Sequence, residues 1–307
     1  MPQVNPKRCA IAYHIQTGKS VYGAAGTQVV IPLPAGEGLD WNPNYEDINF
    51  TDARQWRACF FSGGEWLTGD LQVPLTPGYC VDLFDWVITS DADWQGKWAT
   101  VWRDLSATSG QYEKYGDVKV ASASGTLAAG RLPEMTLTLL GRVQLTGEAI
   151  GQAAPTACPY EPKEVAISLD PDGTSPAVTG ICKQVTFNIN RMVEDGADGM
   201  RLNGYAYPAT LDNFGGIEVD GELTAEFSSE ADAIALYDAC QAQNEGSMTV
   251  TMTHAPNTAT LAFKRMVWQT KTPVKIPAAG GFTSITVPFK CYGSLSGATA
   301  PMTMAEA

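Results

Sequence analysis

Gly221-Glu222-Leu223, a helical stretch from Ser229 to Gln241, and then Gly246 with Ser247 to Thr251 set down a strand, a helix and a strand. The chain has used that plan once already. Gly69-Asp70-Leu71, also followed by a helical stretch, stands 152 residues earlier (221 against 69). Gly96, with Lys97 to Val101 after it, stands 150 residues before Gly246, and Ala128-Ala129-Gly130 stands 150 before Ala278-Ala279-Gly280. Met135, Leu137 and Leu139 match Ile285, Val287 and Phe289 at the same offset. Each match is a few common residues, but four in order at a nearly fixed offset mark an internal repeat. With 307 residues, beyond the usual size of one core, the chain is expected to hold two related domains, 1–150 and 164–307, joined by a Gly-, Ala- and Pro-rich linker at 151–163.

The strands announce themselves by alternation. Val185, Phe187 and Ile189 alternate with Thr186, Asn188 and Asn190; Met248, Val250 and Met252 alternate with Ser247, Thr249, Thr251 and Thr253. Met135, Leu137 and Leu139, and Ile285, Val287, Phe289 and Cys291, form two more such stripes. A period of two with one polar phase predicts half-buried antiparallel strands with one wet face. Two short helices are expected. One is capped by Thr76 with Pro77 at its first position and buries Cys80, Phe84, Val87 and Ile88. The other has Ser229 and Asp232 at capping-box spacing and buries Ala233, Leu236, Tyr237 and Cys240. The fold class is therefore mainly β with a minor α component: two tandem related units, each with one flanking helix.

Composition excludes several functions. Thirty-three acidic residues against 20 basic ones give a net charge of −13, so the electrostatic footprint of a phosphate- or lipid-gripping protein is missing. Seven scattered cysteines, without a Cys-x-x-Cys pair, read as small buried hydrophobes of a reducing compartment. No apolar run is long enough to span a bilayer and residues 1–8 lack a secretory core, so a soluble, unexported protein without a membrane anchor is expected.

Chemistry-bearing constellations are equally scarce. His14 and His254 stand at no ligand spacing. Gly18-Lys19-Ser20 resembles the end of a phosphate-binding loop, but Tyr13 occupies the place of its first glycine, which leaves Lys19 an ordinary surface charge. Asp170-Pro171-Asp172-Gly173 and Glu194 to Gly199 lack the alternating ligands of a calcium loop and read as turns. Asp82 and Asp85 read as carboxylates on an exposed helix face. No catalytic residue, metal or cofactor is expected. The tryptophans crowded into the first half (Trp56, Trp66, Trp86, Trp94, Trp98 and Trp102) read as core and subunit-interface packing. A carbohydrate-stacking platform is the competing reading, and with it a carbohydrate- or receptor-binding β-sandwich module such as an adhesin or decoration protein. The two halves differ in a long, Gly-rich, acidic connection from Met192 to Ile217, which is read as an interaction loop.

Val219 to Phe227, the helix from Ser229 to Gln241, Gly246 to Val250, and the closing stretch from Val274 to Lys290 resemble the tail tube proteins of siphophages, and Thr68 to Arg142 carries the same plan. The resemblance implies that each of the two tandem units is a β-sandwich or partial barrel, in a structural, non-enzymatic virion protein, made in the host cytoplasm, whose rings close an inner β-barrel with the helices outside. A chain with two tube units would close a trimeric ring of pseudo-sixfold symmetry, with a hexameric ring as the alternative, and rings would stack into the tube that conducts DNA. Its implied partners are further copies of itself, the tail terminator, distal tail and tape measure proteins, and DNA passing without specific binding. Inter-ring contacts are expected from the loop, at Arg201, Leu202, Tyr205, Tyr207, Asp212 and Phe214, from residues 1–20, and from the tail after Gly293.

Overall fold

The computed structural model describes residues 10–31, 38–48, 59–89, 96–106, 110–153, 156–173, 181–200, 206–213, 216–226, 230–271, 284–293 and 300–307. Strands dominate: β1 (Ala10–Ile15), β2 (Val29–Ile31), β3 (Asp40–Ile48), β4 (Cys59–Pro74), β5 (Ala99–Ser106), β6 (Gln111–Ala128) and β7 (Glu134–Leu145), then β8 (Val165–Asp170), β9 (Ile181–Asn190), β10 (Glu218–Glu226), β11 (Glu245–His254), β12 (Asn257–Trp268), β13 (Ser284–Cys291) and β14 (Met302–Glu306). Two α-helices interrupt them, α1 (Cys80–Ile88) after β4 and α2 (Glu230–Ala242) after β10.

All 14 strands belong to one antiparallel sheet, and that sheet is open rather than closed into a barrel. The mainly-β expectation with two short helices holds. In place of two separate sandwiches or partial barrels, however, hydrogen bonding runs unbroken from the first half into the second, because β6 continues beyond β5 and pairs Ser122–Ala128 with Asn190–Gln184 of β9.

Strand order is the same in both halves: β1–β5–β6–β7–β4–β3 in the first, β8–β11–β12–β13–β10–β9 in the second. Even the irregularities coincide. The β5–β6 ladder slips between Ala99 and Val101, with Asp117 at φ 52°; the β11–β12 ladder slips between Gly246 and Met248, with Arg265 at φ 49°. A bulge adds one residue to a strand and re-aims the residues beyond it, so two bulges at one point of a common order fix the alignment. They place Gly246 opposite Ala99 rather than Gly96 in that alignment, correcting one of the four sequence matches by three residues. The match of Gly69 with Gly221 holds: each stands on a strand whose partner residue two positions back, Leu67 or Val219, faces Gly141 or Cys291. Ala278 to Gly280 lie outside the described residues.

The four stripes read from alternation become β9, β11, β7 and β13, and their apolar phases are buried in one continuous core. At nine residues α1 is too short to persist alone and is held by packing. It buries Cys80, Leu83, Phe84, Trp86, Val87 and Ile88. It begins three residues later than Pro77 suggests. The Thr76 hydroxyl donates back to the Pro74 carbonyl (3.2 Å), so the helix amides lose that cap, and Tyr79 takes the N-cap position. In α2 the inward residues are Leu236, Ala239 and Cys240; Tyr237, expected among them, is exposed. Ser229 and the side chains of Asp232 and Ala233 lie outside the described residues.

The C-terminal strand is committed within the chain. β14 pairs with β12, burying Met302, and the Glu306 carboxylate accepts the Gly78 amide (2.5 Å) before α1 and the Tyr160 hydroxyl (3.3 Å) of the linker region.

Candidate assembly interface

The registers of six adjacent strands, β4–β7–β6–β9–β10–β13, sort their side chains into two faces. On one face the cross-strand rows are Leu71–Leu137–Ala123–Ile189–Val219–Cys291 and Val73–Met135–Gly125–Phe187–Gly221–Phe289. These belong to the core. The opposite phase is polar in every strand: Asp70–Thr138–Ser122–Asn190–Glu218 forms one row and Gln72–Thr136–Ser124–Asn188–Asp220–Lys290 the next. Glu134, Thr126, Thr186 and Glu222 make a third, and Gln184, Thr224 and Thr286 a fourth.

This wet face carries six carboxylates (Asp70, Glu134, Glu218, Asp220, Glu222 and Glu226) against Lys183 and Lys290. Lys183 is paired with Glu226. Cross-strand bonds order the surface: the Thr138 hydroxyl donates to Asp70 (2.7 Å), the Asn188 amide donates to Asp220 (3.0 Å), and one of the Thr224 and Thr286 hydroxyls donates to the other (3.2 Å). The face crosses from the first half into the second without a break and offers hydroxyls, amides and acid but little positive charge.

Beside it, the connection from Met192 to Ile217 is strapped to the first half. Lys119, almost fully buried, donates to the Leu211 carbonyl (2.6 Å) and to Asn213 Oδ1 (2.9 Å), with its ammonium 4.2 Å from the Trp98 ring centre. Lys19 donates to the Ala209 carbonyl (2.8 Å), and Arg142 to that of Pro208 (3.2 Å). Arg142 also grips Asp117 through Nη2 (2.7 Å) and Nε (3.1 Å), and Asp117 accepts the Ser20 amide (2.7 Å). With Asp117 inaccessible to solvent, a buried carboxylate is made tolerable by a charged partner and further donors. Within the strap, Glu194 accepts the Thr210 hydroxyl (2.7 Å) and the Asp212 amide (3.2 Å). Arg191, where the strap begins, donates to the Val87 and Ile88 carbonyls (3.1 and 2.8 Å), capping the negative end of α1.

Of the loop positions predicted to make contacts, Tyr207 has its ring 5.4 Å from the Arg142 guanidinium carbon, and Asp212 is exposed while its main chain is tied to Glu194. Arg201, Leu202, Tyr205 and Phe214 lie outside the described residues. Sequence reading missed Lys119, Arg142 and Asp117, which sit on strands in or beside the polar phase; Lys119 and Arg142 are met by the returning strap, and Asp117 by Arg142, Gln16 and Ser20. Lys19, taken as a plain surface charge, is one of the strap's anchors. The expected difference between halves also narrows: the first half carries an excursion at the same point, built from the distal parts of β3 and β4, whose Glu65 amide meets the Ala206 carbonyl (2.7 Å).

A family model described as phage tail tube protein matches residues 18–293. The chain belongs to the phage tail tube protein family. This tube protein is thus a structural tail protein and a virion component, of a family that is structural rather than enzymatic. No curated protein matches it significantly.

Four tryptophans of the tube protein serve its interior, Trp86, Trp102 and Trp268 fully buried and Trp98 nearly so, which removes these four as a sugar-stacking platform, while Trp66 and Trp41 are partly buried. Trp56 and Trp94 lie outside the described residues. Of the cysteines whose side chains are described, Cys80, Cys240 and Cys291 are buried as expected, whereas Cys158 is exposed. Burial pushes the Cys80 and Cys291 thiols up to about 12 and that of Cys240 to about 11. No described helix is long and apolar enough to cross a membrane.

Proposed function

We propose that this protein polymerises as stacked rings into the tail tube and that the wet face of β4–β7–β6–β9–β10–β13 lines the channel through which DNA passes. The observation that carries the reading is that face: it is continuous across both halves, hydroxyl-rich, and holds six carboxylates against two lysines. DNA binding strengthens with each phosphate neutralised by Lys or Arg, so such a wall lets a duplex slide without sticking. The two stretches 1–150 and 164–307 act as successive tube units joined by 151–163. Three chains then supply six units to a ring with pseudo-sixfold symmetry, and six chains are the alternative. Stacking uses heterologous contacts, with the strap, Asp212 and Tyr207 included, on the ring's axial face. The tail terminator, distal tail and tape measure proteins are its partners at the tube's ends and in its bore.

Negative-stain electron microscopy of the concentrated protein tests this. Hollow tubes or stacked rings with a bore wide enough for duplex DNA are expected. Discrete globular particles at every concentration would overturn it.

A further inference from the structure

The strands shared by the two halves end in unlike surfaces. β9 runs antiparallel to β6, from the Ala128–Gln184 pair to Ser122–Asn190. The strap leaves the sheet after Asn190 and rejoins it at Glu218, the partner of Asn190, so it stands at the Ser122 end. The turn between β6 and β7, residues 129–133, stands at the Ala128 end, roughly 20 Å away along the strands.

That turn is firmly held: the Ala129 amide donates to the Lys183 carbonyl (2.9 Å) and the Leu75 amide to that of Pro133 (2.9 Å). Its tip exposes Arg131 and Leu132, an apolar side chain that is 37% accessible. Lys183 and Glu226, at the same end, neutralise each other, whereas Arg131 makes no ion pair among the described residues. The strap offers the opposite charge. Asp212 lies against Glu194, whose amide donates to the Asp212 carbonyl (2.7 Å), and Asp195 follows Glu194; both aspartates are exposed, as are Ala197 and Ala206 of the same segment. In the first half's own excursion Glu65 is already committed, accepting the Trp41 indole N–H (2.7 Å).

We infer that the strap's occupant is a second copy of this chain, which presents the β6–β7 turn from the opposite end of its sheet: Arg131 pairs with Asp195 and Asp212, and Leu132 rests on Ala197 and Ala206. The inference rests on the tube reading and names the partner surface of the strap. A contact between unlike ends is heterologous and open, so it adds ring on ring in one direction, while strap against strap sets like charges together. Each chain supplies one strap and one Arg131–Leu132 turn, so donors and acceptors match between successive rings. A single exposed ion pair is weak and screened by salt, but contacts repeated around a ring must all part at once.

Three chains test this against the parent: Arg131→Glu, Asp195→Lys with Asp212→Lys, and all three changes together. Each is examined by negative-stain microscopy and sedimentation at equal concentration, with the circular-dichroism melting transition as a check of folding that these exposed positions should leave unchanged. The first two variants are expected to give rings with tube mass reduced at least about tenfold, because like charges then meet at every contact, and the combined chain is expected to recover the parent's tubes. Tubes from Arg131→Glu as abundant as the parent's would overturn the inference and leave the tube reading standing. Loss of stacking in both variants without recovery in the combined chain would likewise overturn the pairing alone. A parent that forms neither rings nor tubes would overturn both.

Discussion

Gly125 on β6 faces Phe187 on β9 across the junction of the two halves, and a β-carbon at 125 would lie 2.1 Å from the tip of the phenyl ring. Phe187 is boxed on its other side by Gly221 and stands edge-on to Phe263, their centroids 5.6 Å apart. The ring has no room to yield. Gly125→Ala is expected to cost about 1–3 kcal/mol by overpacking, read as a lower urea midpoint. Phe187→Leu in the same chain should recover part of that loss, since the two residues share one space. Additive effects in the double variant would show that they do not.

Arg142→Met should leave Asp117 buried without its cation, at a cost of about 3–5 kcal/mol. The half-exposed pair of Lys97 with Asp85 (2.5 Å) is a natural control, because Lys97→Met should cost at most about 1 kcal/mol. Limited proteolysis should also cut the strap near Pro208 and Ala209 faster in Arg142→Met than in the parent. Equal cleavage rates would mean that Arg142 does not hold the strap down.

Stability should fall above pH 9. The ordinary thiol value is 9.0, whereas burial raises Cys80 and Cys291 to about 12 and Cys240 to about 11. Between those values the folded chain keeps protons that the unfolded chain has lost, so the contribution is complete below pH 9 and disappears as pH rises toward 12. Tyr13, Tyr115 and Tyr160, also raised chiefly by burial, act in the same direction. Denaturation midpoints measured from about pH 7 to 11 should be flat and then decline, and Cys291→Val should soften the decline. An unchanged slope in that variant would remove Cys291 from the account.

Deleting residues 302–307 removes the strand that pairs with Ala259–Phe263 and the carboxylate that holds the Gly78 amide. Loss of the buried Met302 side chain alone is worth about 2–5 kcal/mol. Circular dichroism during thermal unfolding should show a lower transition for the truncated chain. A transition unchanged from the parent would mean that β14 contributes nothing to the fold.

Asp220→Lys with Glu222→Lys places two positive charges on the wet face without touching the core. If that face lines the bore, tubes should still form, and they should now retain duplex DNA in a salt-dependent manner. Tubes that hold no more DNA than the parent at low salt would remove this face from the channel wall.

Much of the fold was legible because a period of two survives wherever one face is buried. Val185, Phe187 and Ile189 needed no partner to be recognised as the inward phase of a strand. Alternation cannot supply the identity of the neighbour. Nothing local at Ser122 or Asn190 says that they pair with each other, so the unbroken sheet was out of reach. The start of α1 was misread because the Gly78 amide is satisfied by Glu306, 228 residues away. Lys119 sits in the polar phase of β6 and is buried only by a segment that begins 73 residues later (192 against 119). The acidic character of the wet face, by contrast, was already present in the net charge.

The junction inside the chain bears on how a ring is put together. In a trimer of tandem units, three of the six seams are made during folding and cannot come apart while the backbone is whole, which leaves three to form between chains. The first two of these each need another chain to arrive, and the last closes within the assembled trimer, favoured by effective concentration. Vacancies can then arise only two units at a time, so a tube of such rings trades tube units in pairs or not at all.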